Sequence, residues 1–254
     1  MIRFASLGSG SSGNALLVEC GATRLMLDCG FSLSETSRRL DRLGWSPEQL
    51  SAILVTHEHR DHIGGVFRLA RKYALPVWMS GGTLKACADE AQGVDCHILD
   101  NHAPLDLGDL QAIPYPVPHD AREPVQFVFS NGTARLGVLT DAGEITPHVC
   151  AVLSGCDALV LECNHDAGML SVSGDPWFLK RRIAGRLGHL ENGATAELLS
   201  RVDCSRLHHL VAAHLSERNN LPELAVRALS SALGCDPEWI GVACPRTGFH
   251  WREI

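Results

Sequence analysis

No apolar stretch in this 254-residue chain approaches the ~20 residues needed to span a bilayer. The first residues, Met1-Ile2-Arg3-Phe4-Ala5-Ser6-Leu7, run quickly into Gly and Ser and read as a first strand rather than a signal peptide. Of ten cysteines none falls in a Cys-x-x-Cys pair, which removes the usual zinc-ribbon and redox signatures. Cys20, Cys29, Cys150 and Cys163 lie in or beside apolar runs, where thiols act as small hydrophobes. Reduced cysteines and a cytoplasmic location are therefore expected. A net charge of −7 excludes a surface that is basic throughout, so any nucleic-acid contact must use a local patch. The five Trp show no aromatic interleaving of the kind that stacks bases. There is no low-complexity linker, short repeat or block of like charge.

What is present is concentrated in His57-Glu58-His59-Arg60-Asp61-His62. Three imidazoles and a ligand-type carboxylate follow directly on the apolar run Ala52-Ile53-Leu54-Val55-Thr56. In an extended segment residues two apart point the same way, so His57 and His59 can converge on one ion. Asp61 and His62 open what reads as a helix to Tyr73 and can reach a second. Imidazole and carboxylate suit zinc and its neighbours. A zincin is excluded, because Asp61 stands where its second His would be.

The rest of the chain reads as alternating elements. Strands are expected at Ile2 to Leu7, Ala15 to Glu19, Thr23 to Leu27, Ala52 to Thr56 and Pro76 to Met79. A helix from Leu33 to Leu43 has Ser32 or Ser34 as cap and Gly44 as stop. Residues 96–141 are mostly β, with Asn131-Gly132 as a hairpin turn between Val125–Phe129 and Ala134–Leu139. Helices near 146–154, 176–187, 191–202 and 222–233 then alternate with strands 158–163, 207–213 and 239–243. Two halves, each with strands first and helices after, predict one α/β domain over 1–254: an αββα four-layer sandwich with a site in the loops of one edge. Three further ligand types stand where apolar strands end: His119, Asp141 and His214.

In that order, Asp28 in Leu27-Asp28-Cys29-Gly30, the His57-to-His62 cluster, His119, Asp141 and His214 resemble the five motifs of the metallo-β-lactamase fold superfamily. The resemblance spans nearly all of the chain. It implies that His57, His59 and His119 hold one ion, that Asp61, His62 and His214 hold the other, and that Asp141 bridges them. Asp28 would orient a ligand imidazole. Two divalent ions per chain are implied, zinc expected and manganese the alternative. Phe4-Ala5-Ser6-Leu7-Gly8-Ser9-Gly10-Ser11-Ser12-Gly13-Asn14, Leu161-to-Asp166 and His214-to-Asn220 are similar to the YycJ/WalJ branch, whose members are associated with exonuclease activity on DNA.

Gly188-His189-Leu190-Glu191-Asn192 is similar to the Gly-His segment of ribonuclease Z, in which the His lies beside the scissile phosphate. His189 is accordingly the first candidate general acid and His165 the second, with Asp61 both ligand and catalytic candidate. Ser11, Asn14, Asn164, Arg60 and Arg218 are candidates for substrate contact, the first two because the Ser9-to-Asn14 loop could present amides and hydroxyls to phosphate. Lys180, Arg181, Arg182 and Arg186 give a basic helix face that suits a nucleic-acid backbone.

The expectation is a dinuclear metal-dependent phosphodiesterase, a DNA exonuclease in which the ions activate a bridging water. A thioesterase, lactonase or cyclic phosphodiesterase uses the same ligands, and a non-catalytic metal-binding module is the third reading. His59 argues against the di-iron flavoproteins, which carry Glu there. No Cys replaces a ligand, as it does in β-lactam specialists, and the zinc knuckle of the phosphonate-pathway phosphodiesterase is absent.

Overall fold

The computed structural model describes all 254 residues. The first half forms Arg3–Gly8 (β1), Ala15–Cys20 (β2), Thr23–Leu27 (β3), Leu33–Arg42 (α1), Ala52–Leu54 (β4), Arg60–Ile63 (α2), Val66–Tyr73 (α3), Val77–Met79 (β5), Gly81–Ala86 (α4) and Cys96–Ile98 (β6). Then come Leu105–Leu107 (β7), Leu110–Pro116 (β8), Val125–Ser130 (β9), Arg135–Leu139 (β10), Pro147–Leu153 (α5), Ala158–Glu162 (β11), Ala167–Val172 (α6) and Trp177–Ile183 (α7). Asn192–Arg201 (α8), His209–Ala213 (β12), Pro222–Leu233 (α9), Gly241–Val242 (β13) and Phe249–Glu253 (β14) complete the chain. No helix is long and apolar enough to cross a membrane.

The strands make two seven-stranded sheets, ordered β14-β1-β2-β3-β4-β5-β6 and β13-β12-β11-β10-β9-β8-β7. Side chains alternate across each strand, so both faces of the inner strands are buried. Leu16 and Val18 of β2 and Ala158 and Val160 of β11 join the cluster between the sheets. Leu17 turns the other way, toward Leu40 of α1 and Phe67 of α3. Leu159 and Leu161 likewise meet Leu198 of α8 and Leu229 of α9. Burial on both faces is why these strands read as continuous apolar runs, and it yields the expected four layers.

Local differences from the sequence reading have identifiable causes. The helix expected from His62 to Tyr73 is two pieces, α2 and α3, broken at Gly64-Gly65. A Cβ at Gly65 would collide with the carbonyl oxygen of Phe31. There the backbone is instead pinned to the loop after β3, with Cys29 N donating to His62 O and Gly65 N to Cys29 O, both at 2.7 Å. The break leaves His62 facing inward while α3 buries Val66, Phe67, Leu69 and Ala70. The helix expected over 176–187 ends at Ile183, and the chain then turns so that Gly188 and His189 reach the site. Two short helices, α4 and α6, and the last strand were not anticipated. β14 pairs antiparallel with β1 and closes the first sheet with the chain's final residues.

β3 and β4 run parallel, as do β10, β11 and β12. β8 shares the direction of β10 because each is antiparallel to β9. Their C-terminal ends therefore open on one edge of the sandwich. Asp28, His57, His119, Asp141 and His214 lie just beyond those ends.

Candidate metal centre

Three of the four non-glycine residues with positive φ stand at this edge: Asp28 (60°), Asp141 (53°) and His214 (54°). Each follows its strand by a residue or two and reverses the chain so that the side chain points across the sandwich rather than along it. The left-handed region costs an ordinary residue on the order of 1 kcal/mol, a cost most readily met by Asp and Asn. Here the conformation is held by β-strands on one side and buried hydrogen bonds on the other.

The hydrogen bonds fix which nitrogen of each imidazole faces inward. Thr56 donates through its N to Asp28 Oδ1 (2.8 Å) and through Oγ1 to Asp28 Oδ2 (2.9 Å). With that hydroxyl proton committed, His57 Nδ1 must donate to Thr56 Oγ1 at 2.9 Å, which leaves the lone pair on His57 Nε2. His62 Nδ1 donates to Asp28 Oδ2 at 2.8 Å. His119 Nδ1 donates to Gly188 O at 3.0 Å. His214 Nδ1 lies 3.4 Å from Glu162 Oε1. His59 is the exception: its Nδ1 is the inward atom, 3.2 Å from His119 Nε2, while its Nε2 is 3.8 Å from Asp120. Imidazoles anchored through one nitrogen by carboxylate, hydroxyl or carbonyl, with the other aimed at a common point, are the arrangement of metal ligands.

The inward atoms form overlapping groups, each within 4.8 Å: His57, His59 and His119; His57, His62 and Asp141; Asp61, His62 and His214; and Asp141, Glu162, His189 and His214. Asp141 is common to two of them. Buried His57 Nε2 and Asp141 Oδ2 have no hydrogen-bond partner. His62 Nε2 comes within 2.9 Å of Asp141 Oδ2 without the alignment of a hydrogen bond, as expected of two donors aimed at a third body. Buried polar atoms without partners are costly unless something else satisfies them, and this donor set suits a divalent metal ion. None of the ten cysteines is disulfide-bonded, and none joins these groups.

The electrostatics point the same way. Burial, reinforced by the neighbouring His62, pushes His57 well below its ordinary range, as a neutral ligand requires. Burial would also lower His214, but Asp141, Asp61 and Glu162 draw it up to about 10. Burial would raise Asp141, yet the imidazoles of His214 and His62 hold it well below the carboxylate range. The carboxylates thus favour positive charge at the imidazoles they face.

Glu162, at the end of β11, is the residue that sequence reading missed. It is fully buried and accepts from Ala142 N (2.9 Å) and Leu190 N (3.2 Å) on one oxygen and from His189 Nδ1 (2.7 Å) on the other. Burial would raise its pKa, but His189 and His214 bring it down to about 2. Reciprocally, burial would lower His189, and the Glu162 and Asp141 charges raise it. An acid closing an apolar strand, inside the Leu161-to-Asp166 segment already singled out, was the available signal.

His59, Asp61, Asp141, His189 and His214 line a cavity of about 380 Å³, together with Ser11 and the exposed Arg60. The other candidates sit elsewhere. Asn14 is buried, its amide bonded to Gly10 and to the carbonyl and carboxylate of Asp61. The Gly10, Gly13 and Asn14 amides are likewise committed to Asn14 Oδ1, Gly10 O and Asp61 O. Asn164 donates to His214 O at 3.1 Å, bracing a ligand loop. His165 is buried with its Nδ1 unpartnered and does not line the cavity. Arg218 lies outside that lining and pairs with Asp175 at 3.0 Å.

Known proteins share this architecture and sequence. A family profile described as a beta-lactamase superfamily domain matches residues 23–214. Exodeoxyribonuclease YycJ of Bacillus anthracis is 36% identical over 244 residues, 91% of this chain and 89% of that protein. Exodeoxyribonuclease WalJ of Streptococcus pneumoniae serotype 2 (strain D39) is 33% identical over 245 residues, 94% of this chain and 91% of that protein. In fold, the crystal structure of the metallo-beta-lactamase fold protein YhfI from Bacillus subtilis superposes with a TM-score of 0.77 at 15% identity, covering 100% of this chain and 99% of that one. Sequence likeness along most of its length and a shared sandwich lead to one conclusion: this chain belongs to the metallo-β-lactamase superfamily, in its YycJ/WalJ branch.

Proposed function

We propose that the protein is a dinuclear metal-dependent phosphodiesterase that degrades DNA from an end. The observation that carries this reading is the pair of three-donor groups, His57/His59/His119 and Asp61/His62/His214, with Asp141 between them. In this reading each group holds one divalent ion, zinc in the first instance, and Asp141 is shared. Bound in this way, paired divalent ions acidify water and neutralise phosphate charge. The chain's own residues do the rest. Asp28 and Glu162 orient ligand imidazoles, Ser11 and Arg60 meet the phosphate at the cavity wall, and Asp61 faces the reacting groups. His189, held by Glu162 through Nδ1 and bordering the cavity, protonates the departing oxygen. The names of the YycJ and WalJ relatives support DNA as substrate and cutting from an end.

The experiment is to load the protein with zinc or manganese and offer end-labelled single- and double-stranded DNA, RNA, a simple phosphodiester, a thioester and a lactone. Stepwise shortening of DNA is expected. Rapid turnover of the thioester or lactone with every phosphodiester intact would overturn the reading.

A further inference from the structure

Eight large hydrophobic side chains are exposed, and four of them fall within residues 172–187: Val172 (84%), Trp177 (70%), Phe178 (64%) and Leu187 (54%). No residue of α7 is buried. The helix nevertheless borders the metal cavity, which Leu179, Arg182 and Ile183 help to line. Residues three or four apart are neighbours on a helix surface. Phe178 therefore lies beside Arg181 and Arg182, and Trp177 beside Lys180 and Arg181, so that an exposed aromatic turn adjoins a basic turn at the cavity rim. The sequence reading saw the basic residues and found no aromatic platform, because Trp177 and Phe178 precede the basic run in the chain and only the helical turn sets them against it.

Resting on the nuclease reading, we propose that α7 is a guide for single-stranded DNA. Trp177 and Phe178 stack on bases, while Lys180 and Arg181 hold the backbone of a strand whose end enters the cavity. Stacking is open to any base, as an enzyme that removes successive nucleotides requires. The charge here also selects the occupant. Nearby acids are already engaged, Asp120 by Arg182 at 2.7 Å, Glu144 by Arg186 and Asp175 by Arg218, so Arg181 and Lys180 add to a locally positive face on a chain of net charge −7. A second copy docked about a two-fold axis would set this basic face against itself, which is unfavourable. A polyanion with flat apolar faces matches it.

The test measures binding of labelled, phosphorothioate-linked oligothymidylate, which resists cleavage, to metal-loaded wild type and to the Trp177→Ala/Phe178→Ala variant. Loss of one stacked base weakens binding roughly 5- to 150-fold. A loss at or above that range is expected for the double variant, which removes two rings, and recovery for Trp177→Phe/Phe178→Tyr, with no change toward an abasic deoxyribose-phosphate oligomer or in hydrolysis of a small activated phosphodiester. Equal affinity of variant and wild type for the oligothymidylate would overturn the guide. So would a wild-type dimer that the double variant splits, or binding to anionic phospholipid vesicles without binding to the oligonucleotide. If DNA is cut but the variant binds normally, the guide fails and the nuclease stands. If the variant loses binding but no wild-type preparation cuts DNA, the nuclease reading fails instead.

Discussion

Replacing Glu162 with Gln tests the site at its least expected residue. The carboxylate is fully buried and takes hydrogen bonds from Ala142 N, Leu190 N and His189 Nδ1. A glutamine oxygen can keep both backbone donors, so the fold should survive. Its amide nitrogen then faces His189 Nδ1 in place of an acceptor, and the larger of the two charges that raise the His189 pKa is gone, Asp141 remaining. A hydrogen bond to a charged group is worth about 1.5–3 kcal/mol net. At about 1.36 kcal/mol per tenfold change, turnover should fall about 10- to 150-fold where the leaving oxygen needs a proton. His189→Ala sets the ceiling, since a positioned acid is typically worth ~100- to 10,000-fold. The assay compares a thymidine diester with an alkoxide leaving group and one with p-nitrophenolate, at saturating metal, with metal content measured in parallel. A loss confined to the alkoxide substrate is expected for both variants. Equal losses on both substrates at full metal occupancy would show that Glu162 and His189 merely support the ligands, and the proton-donor assignment would be wrong.

Asp28→Ala should weaken metal binding about 10- to 100-fold, because it frees the Nδ1 of His62 and the hydroxyl that positions His57; competition with a chromophoric chelator reads this, and an unchanged affinity would count against it. Asp141→Ala should deplete both ions in elemental analysis, whereas retention of one at full stoichiometry would show that Asp141 serves a single site. Away from the site, Arg38 and Arg39 hold the Glu35 carboxylate down to about 2 from an ordinary 4.5, so its contribution to stability is present above pH 4.5 and lost as pH falls toward 2. Glu35→Gln should therefore lower the urea midpoint at pH 7 by an amount that shrinks through this window, and a pH-independent difference would contradict the assignment.

The layers and the ligand types were legible because both have short-range signatures. Strands buried on two faces are apolar runs, and the His57-to-His62 cluster declares itself within six residues. What was not legible depends on packing between distant segments. The break at Gly64-Gly65 follows from the approach of Phe31, a close contact that no local pattern encodes. Glu162 acquires its role from His189, 27 residues away, and from His214. Asn14 looked like a phosphate contact in a glycine-serine loop, but the fold turns its amide toward Asp61. β14 carries only a short aromatic–polar alternation, Phe249 to Glu253, and its place in the sheet is set by the open edge of β1, far away in the chain.

The left-handed backbone at Asp28, Asp141 and His214 bears on how such a protein changes over generations. Asparagine and glycine tolerate that conformation better than most residues. Asp→Asn, Asp→Gly and His→Asn each require a single-nucleotide change. At these three positions, then, some single-step mutations remove a ligand or its brace while respecting the turn that presents it. At these positions, descendants that keep the sandwich and lose the chemistry lie one step away.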